Sequence, residues 1–170
     1  MNGQFPIYKR SAAAQFSLIP YNPDTKKSGA LFCEMAKAKE GVDRQYTWEN
    51  KLKFAFGPAD YAAIFKVIEG GTGGAVTLTH VQDGKDPKTE SKIMKITPGQ
   101  GQYEGTWNFN LRDNQLNSTV QVSMDTGEFF MFYEILKQSL CMILGLDSVG
   151  QRLMVNKLSN LTSTIEGALQ

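Results

Sequence analysis

The chain has a single histidine, His80, and two cysteines, Cys33 and Cys141, and none stands beside a residue that would make it reactive. Nucleophilic catalysis needs a hydroxyl, thiol or amine next to a base. Metal binding needs clustered His, Cys or carboxylate side chains. Neither pattern occurs, and the carboxylates are scattered over predicted turns and helix surfaces. The glycine-rich stretch EGGTGGAV at 69–76 lacks the Gly-Lys-Ser/Thr ending of a phosphate loop and follows a predicted helix instead of opening one. It reads as a helix stop. His80 reads as a structural strand residue, and the cysteines as free buried thiols in a reducing, intracellular compartment. No catalytic residue, metal or cofactor is expected.

Rings and cations are the residues that could do chemistry. In RQYTWENKLKF, residues 44–54, Arg44, Tyr46 and Trp48 alternate. Lys51 and Lys53 point opposite to Leu52, Phe54 and Phe56, so they face outward. Lys9 and Arg10 follow Tyr8, and Lys92 and Lys95 share another predicted strand. Phe32, Tyr103, Trp107 and Phe109 also fall in predicted strands. Aromatic residues favour strands for packing alone. Rings beside cations, however, are how sheets hold single-stranded nucleic acid, with each stacked base worth ~1–3 kcal/mol and cations tracking the backbone. Net charge is only +1, which argues against a globally basic binder. The charge is uneven: residues 1–53 carry nine Lys/Arg against five Asp/Glu, a net of +4, and residues 99–170 carry four against seven, a net of −3. A local basic strip can still contact phosphates.

The elements that must position these residues repeat. IYKRSAAAQFSLIPY, GALFCEMAKAK, RQYTW and KLKFAF read as four strands, and PADYAAIFKVIEGG as a helix with its apolar stripe at Tyr61, Ile64, Phe65 and Ile68. GAVTLTHV, ESKIMKI, YEGTWNFNL and LNSTVQVSM read as four more strands. A long helix over 125–146 follows, with Asp125 as N-cap and Glu128 in the capping-box position. The fold class is therefore α+β: two four-stranded antiparallel sheets, each followed by a helix, a duplicated ββββα pattern. Residues 1–146 form the expected domain. Residues 147–170 form a C-terminal tail, with Leu153, Leu158, Leu161 and Ile165 spaced for one amphipathic helix. No run of 18 apolar residues occurs, so no membrane-spanning helix is expected.

IYKRSAAAQFSL, KKSGALFCEMA, RQYTWENKLKFAF, ESKIMKITP and LNSTVQVSMDTGEFFMFYEIL together resemble the Whirly family of single-stranded DNA-binding proteins, over roughly residues 5–146. The resemblance implies a homotetramer with the helices at its centre, single-stranded DNA along the sheet edges, and roles in organelle genome maintenance, repair and transcription. Phe129 to Tyr133 are consecutive and all but one aromatic, which suits a helix buried on more than one side. Lys9 matches the first lysine of a family motif. Arg10 stands where the family has glycine, and Ser11 where it has a second lysine associated with higher assemblies. No transit peptide is recognised, so an organellar relative would have lost it, and a bacterial or phage-type relative is the other expectation.

The expected function is thus sequence-tolerant binding of single-stranded DNA by a homotetramer. The stacking candidates are Tyr8, Phe32, Tyr46, Trp48 and Trp107. The phosphate candidates are Lys9, Arg10, Lys27, Arg44, Lys51, Lys53, Lys92 and Lys95. The alternatives are an RNA binder, like the guide-RNA annealing proteins of trypanosome mitochondria that share the architecture, and a scaffolding oligomer with no nucleic acid.

Overall fold

Alternating apolar and polar residues fold this chain into two meanders. The computed structural model describes residues 4–70, 74–81 and 84–146. The expected tail at 147–170 lies outside the described residues. The first sheet has the order β1 (Gln4–Tyr8), β2 (Ala12–Ile19), β3 (Ala30–Lys37), β4 (Leu52–Phe56), all antiparallel. Helix α1 (Pro58–Glu69) follows it. The second sheet has the order β5 (Val76–Val81), β6 (Ser91–Pro98), β7 (Trp107–Asp113), β8 (Ser118–Met124), and α2 (Thr126–Ile143) follows. This is the α+β architecture expected from the sequence.

Two strand assignments need correction, besides that of Tyr103, which lies in a 3₁₀ turn over Gly101–Tyr103 ahead of β7. IYKRSAAAQFSLIPY is two strands, not one: the chain reverses at Lys9, whose N–H donates to the Ala12 carbonyl at 2.9 Å. RQYTW is not a strand. It pairs only through an isolated bridge between Tyr46 and Ala38, and a short 3₁₀ turn over Trp48–Asn50 leads into β4. The count of four strands survives because the two errors cancel.

The inner faces of both sheets meet in one apolar cluster with the helices. Phe132 of α2 is at its centre. Its ring lies 5.1 Å from Phe16 of β2, 6.0 Å from Phe56 of β4 and 4.9 Å from Phe109 of β7. Burying such a ring contributes about 1.5–3 kcal/mol. Tyr61 of α1 shares a hydrogen bond of 2.7 Å with Ser139 of α2, which ties the helices without leaving a buried hydroxyl unpaired. Cys33 and Cys141 are buried and unbridged.

The ends of α2 are fixed by local chemistry. The Asp125 carboxylate accepts from the Glu128 N–H and the Glu128 carboxylate accepts from the Asp125 N–H, each at 2.9 Å. This is the capping box read from the sequence. At the other end Gly145 takes the left-handed conformation, φ 67°. The Leu146 N–H then reaches the Cys141 carbonyl at 3.0 Å, closing the helix in a Schellman turn. The Gly29 N–H donates to the Ile143 carbonyl at 2.9 Å, which attaches the same end to the β2–β3 connection. A Cβ on Gly29 would stand 2.2 Å from the Ile19 carbonyl oxygen, so only glycine fits.

These contacts set a ranking that urea denaturation can check. Phe132→Ala is expected to cost about 3–5 kcal/mol, from lost burial plus a cavity. Asp125→Ala is expected to cost about 1 kcal/mol.

Candidate nucleic-acid interface

Strand register places Tyr8, Ala13 and Ala36 in one row on the outer face of the first sheet. Both alanines have 0% exposure although they face away from the main core. The Tyr46 ring covers them, and with Ala38 and Trp48 they form a second, small cluster. Alanine is what makes this seat possible, because a larger side chain at 13 or 36 would fill the volume of the ring. The Tyr46 hydroxyl donates to the Lys9 carbonyl at 2.9 Å, so the loop after β3 is held over the turn after β1.

Tyr8 stacks on Tyr46 at 5.6 Å and 29°, and remains 57% exposed. Trp48 meets Tyr46 edge-on at 6.2 Å and 62°. Tyr8, Lys9, Arg10, Asp43, Arg44 and Tyr46 line a cavity of about 640 Å³. Arg10 and Arg44 are exposed, and neither has an ion pair among the described residues. Arg44 has φ 54°, a left-handed backbone that costs a non-glycine residue roughly 1–2 kcal/mol. Such outliers cluster at functional sites.

The other cations differ in kind. Lys9 pairs with Glu128 at 2.5 Å and lies 4.0 Å from Asp125, so it binds the β1–β2 turn to the start of α2. Lys51 and Lys53 face outward, as their parity predicts, and both reach the one carboxylate of Glu34, at 2.8 and 3.2 Å. Burial pulls the Glu34 carboxyl up, but hydrogen bonds and charge from the two lysines outweigh it and hold the group below the ordinary glutamate value. Lys92 pairs with the buried Asp113 at 3.5 Å and reaches the Lys53 carbonyl at 3.3 Å, bridging the two sheets.

Phe32 is on the outer face beside Ala55. It lines a second cavity, of about 410 Å³, with Lys53, His80, Lys85, Lys92 and Asp113. His80 has a structural role there: Nε2 lies 2.9 Å from Asp60, and its ring stacks on Phe54 at 4.2 Å.

Three candidates stay apart from the cluster. Lys27 is in the β2–β3 connection, at the opposite end of the sheet from Tyr8. Lys95 is on the outer face of the second sheet, opposite Asn110. Trp107 is a correction. It shares the parity of Phe109 and Leu111, packs against the main core, and lies parallel to Phe129 at 4.1 Å and 8°. One face of its ring is taken by Phe129. Sequence reasoning missed Glu34, whose outward parity with Phe32 was available, and the two seat alanines, which only register reveals.

Two ββββα units around one core define the Whirly fold. No family model and no curated protein matches the sequence. Solved structures do match. WHY1 from Arabidopsis thaliana is 19% identical, with 85% of this chain and 92% of that chain covered at a TM-score of 0.68. The plant transcriptional regulator PBF-2 is also 19% identical, covering 85% and 92% at a TM-score of 0.63. A guide-RNA-binding protein complex, solved bound to its guide RNA, is 15% identical, covering 82% and 90% at a TM-score of 0.52. At these identities the likeness is one of fold.

Because Glu34 is held below its ordinary value, its contribution to stability is present above that value and is lost as pH falls through the lowered one. Glu34→Gln removes the effect. The stability gap between wild type and Glu34→Gln is expected to close as pH is lowered from 6 to 3 in parallel denaturation curves.

Proposed function

We propose that this chain binds single-stranded DNA with little regard to sequence, as a non-catalytic protein of DNA replication, recombination, repair or transcription. The observation that carries the proposal is the Tyr8–Tyr46–Trp48 cluster flanked by Arg10 and Arg44. Tyr8 offers an exposed ring already ordered by its neighbour, and at the same rim are two arginines that have no ion pair among the described residues. A base extends the stack and its phosphates meet the guanidinium groups. Proteins of this fold include one described as a transcriptional regulator and one solved on RNA, which agrees with a nucleic-acid ligand.

The assembly we propose is a homotetramer joined through the helices. Its support is the outward side of α2, where Phe130, Met131 and Met142 are 59%, 47% and 45% exposed. Large apolar side chains of this kind on one helix suit an interface more than solvent. Native mass spectrometry with and without oligo-dT tests both statements. The expected result is a four-copy mass that gains oligonucleotide. No binding of oligo-dT at low salt would end the DNA reading, and tighter binding of a matched RNA would replace it with the RNA one. Tyr8→Ala is expected to weaken binding by ~1–3 kcal/mol. The affinity of the wild type should fall steeply with salt.

A further inference from the structure

Register shows how the outer-face residues of the first sheet are arranged. One row holds Pro6, Gln15, Glu34 and Lys53, and the next holds Gln4, Ser17, Phe32 and Ala55. Glu34 is the one carboxylate that the strands β1–β4 put on this face. It stands between the aromatic cluster around Tyr46 and the ring of Phe32, and each of its oxygens is taken by a different lysine: Oε2 by Lys51 and Oε1 by Lys53. One anion with its two oxygens on two ammonium groups is the arrangement that a backbone phosphate would make with the same side chains.

We propose that Glu34 is an internal stand-in for phosphate, which holds Lys51 and Lys53 in a phosphate-binding pose and must release them when a strand crosses the face. The role rests on the strand-binding function proposed above. In the free protein the shared carboxylate between the two lysines offsets their mutual repulsion. A strand that takes the lysines leaves Glu34 facing its phosphates unpaired. Glu34 therefore lowers affinity and makes release easier, and it reduces the number of counterions that binding displaces. Arg10 and Arg44, which have no such partner among the described residues, provide the first attachment.

The test is a fluorescence-anisotropy titration of oligo-dT at several salt concentrations, with wild type, Glu34→Gln, Lys51→Gln/Lys53→Gln and the triple variant. Glu34→Gln keeps the shape and hydrogen-bonding capacity of the side chain and removes its charge. It is expected to bind tighter by on the order of tenfold, the worth of one charged hydrogen bond. The slope of log affinity against log salt should steepen by about 0.7 for each lysine released to a phosphate. In the triple variant the gain should vanish. A purely structural pair would show only the loss of stability already expected of Glu34→Gln and leave affinity and slope unchanged, which overturns the proposal. A gain that persists without the lysines would also overturn it, because Glu34 would then act by simple repulsion. Wild type that fails to bind at any salt removes the function and this role together, whereas wild-type binding with an unaltered Glu34→Gln removes only this role.

Discussion

The hydrogen bond from the Tyr46 hydroxyl to the Lys9 carbonyl, made across a floor of two alanines, is the constraint on which the candidate surface depends. It joins two connections that are distant in sequence, the turn after β1 and the loop after β3. Without it, Tyr8 has no ring behind it, and Arg10 and Arg44 belong to separate loops. The alanine floor lets the ring lie close to the sheet. The hydroxyl fixes its direction. Tyr46 is 8% exposed as a result, so it serves as a base for Tyr8 more than as a binding ring in its own right. The strained backbone of Arg44 is held by the same packing, with the Lys39 N–H reaching the Gln45 carbonyl at 2.8 Å just before the seat.

The two sheets share a topology but not an outer chemistry. The outer face of the second sheet carries amides and hydroxyls that bond one another: Asn110 donates to Gln121 at 3.4 Å, and Ser123 to Asn108 at 2.5 Å. Such a ladder satisfies itself, and the cations beside it, Lys95 and Arg112, have no aromatic ring among the described residues of that face. On the first sheet the outer face carries rings and ammonium groups. The function we propose lies on the first sheet for that reason, and the second supports it through the common core around Phe132.

Much of the fold was legible because it depends on short-range rules. Period-two alternation placed Leu52, Phe54 and Phe56 inward and Lys51 and Lys53 outward. The Asp125–Glu128 spacing announced the start of α2. What failed were features decided by tertiary contact. The reversal at Lys9-Arg10-Ser11 contains no glycine or proline, and the three alanines after it are buried on both faces, so alternation is silent there. Tyr46 and Trp48 look like strand residues because aromatic side chains favour strands, yet they pack on the sheet from a loop. Trp107 was misread although its parity with Phe109 pointed inward. Ion pairing was invisible in principle: nothing in the sequence says that Lys9 meets Glu128 across 119 positions, or that one glutamate holds two lysines.

The central claim is that nucleic acid lies on the outer face of the first sheet, against Tyr8. Photo-crosslinking with a 5-iodouracil-substituted oligo-dT, followed by mass-spectrometric mapping, addresses it most directly. The account predicts crosslinks at Tyr8, with Trp48 as a secondary position and Trp107 unmodified. Crosslinks confined to Trp107 or to β5–β8 would contradict it.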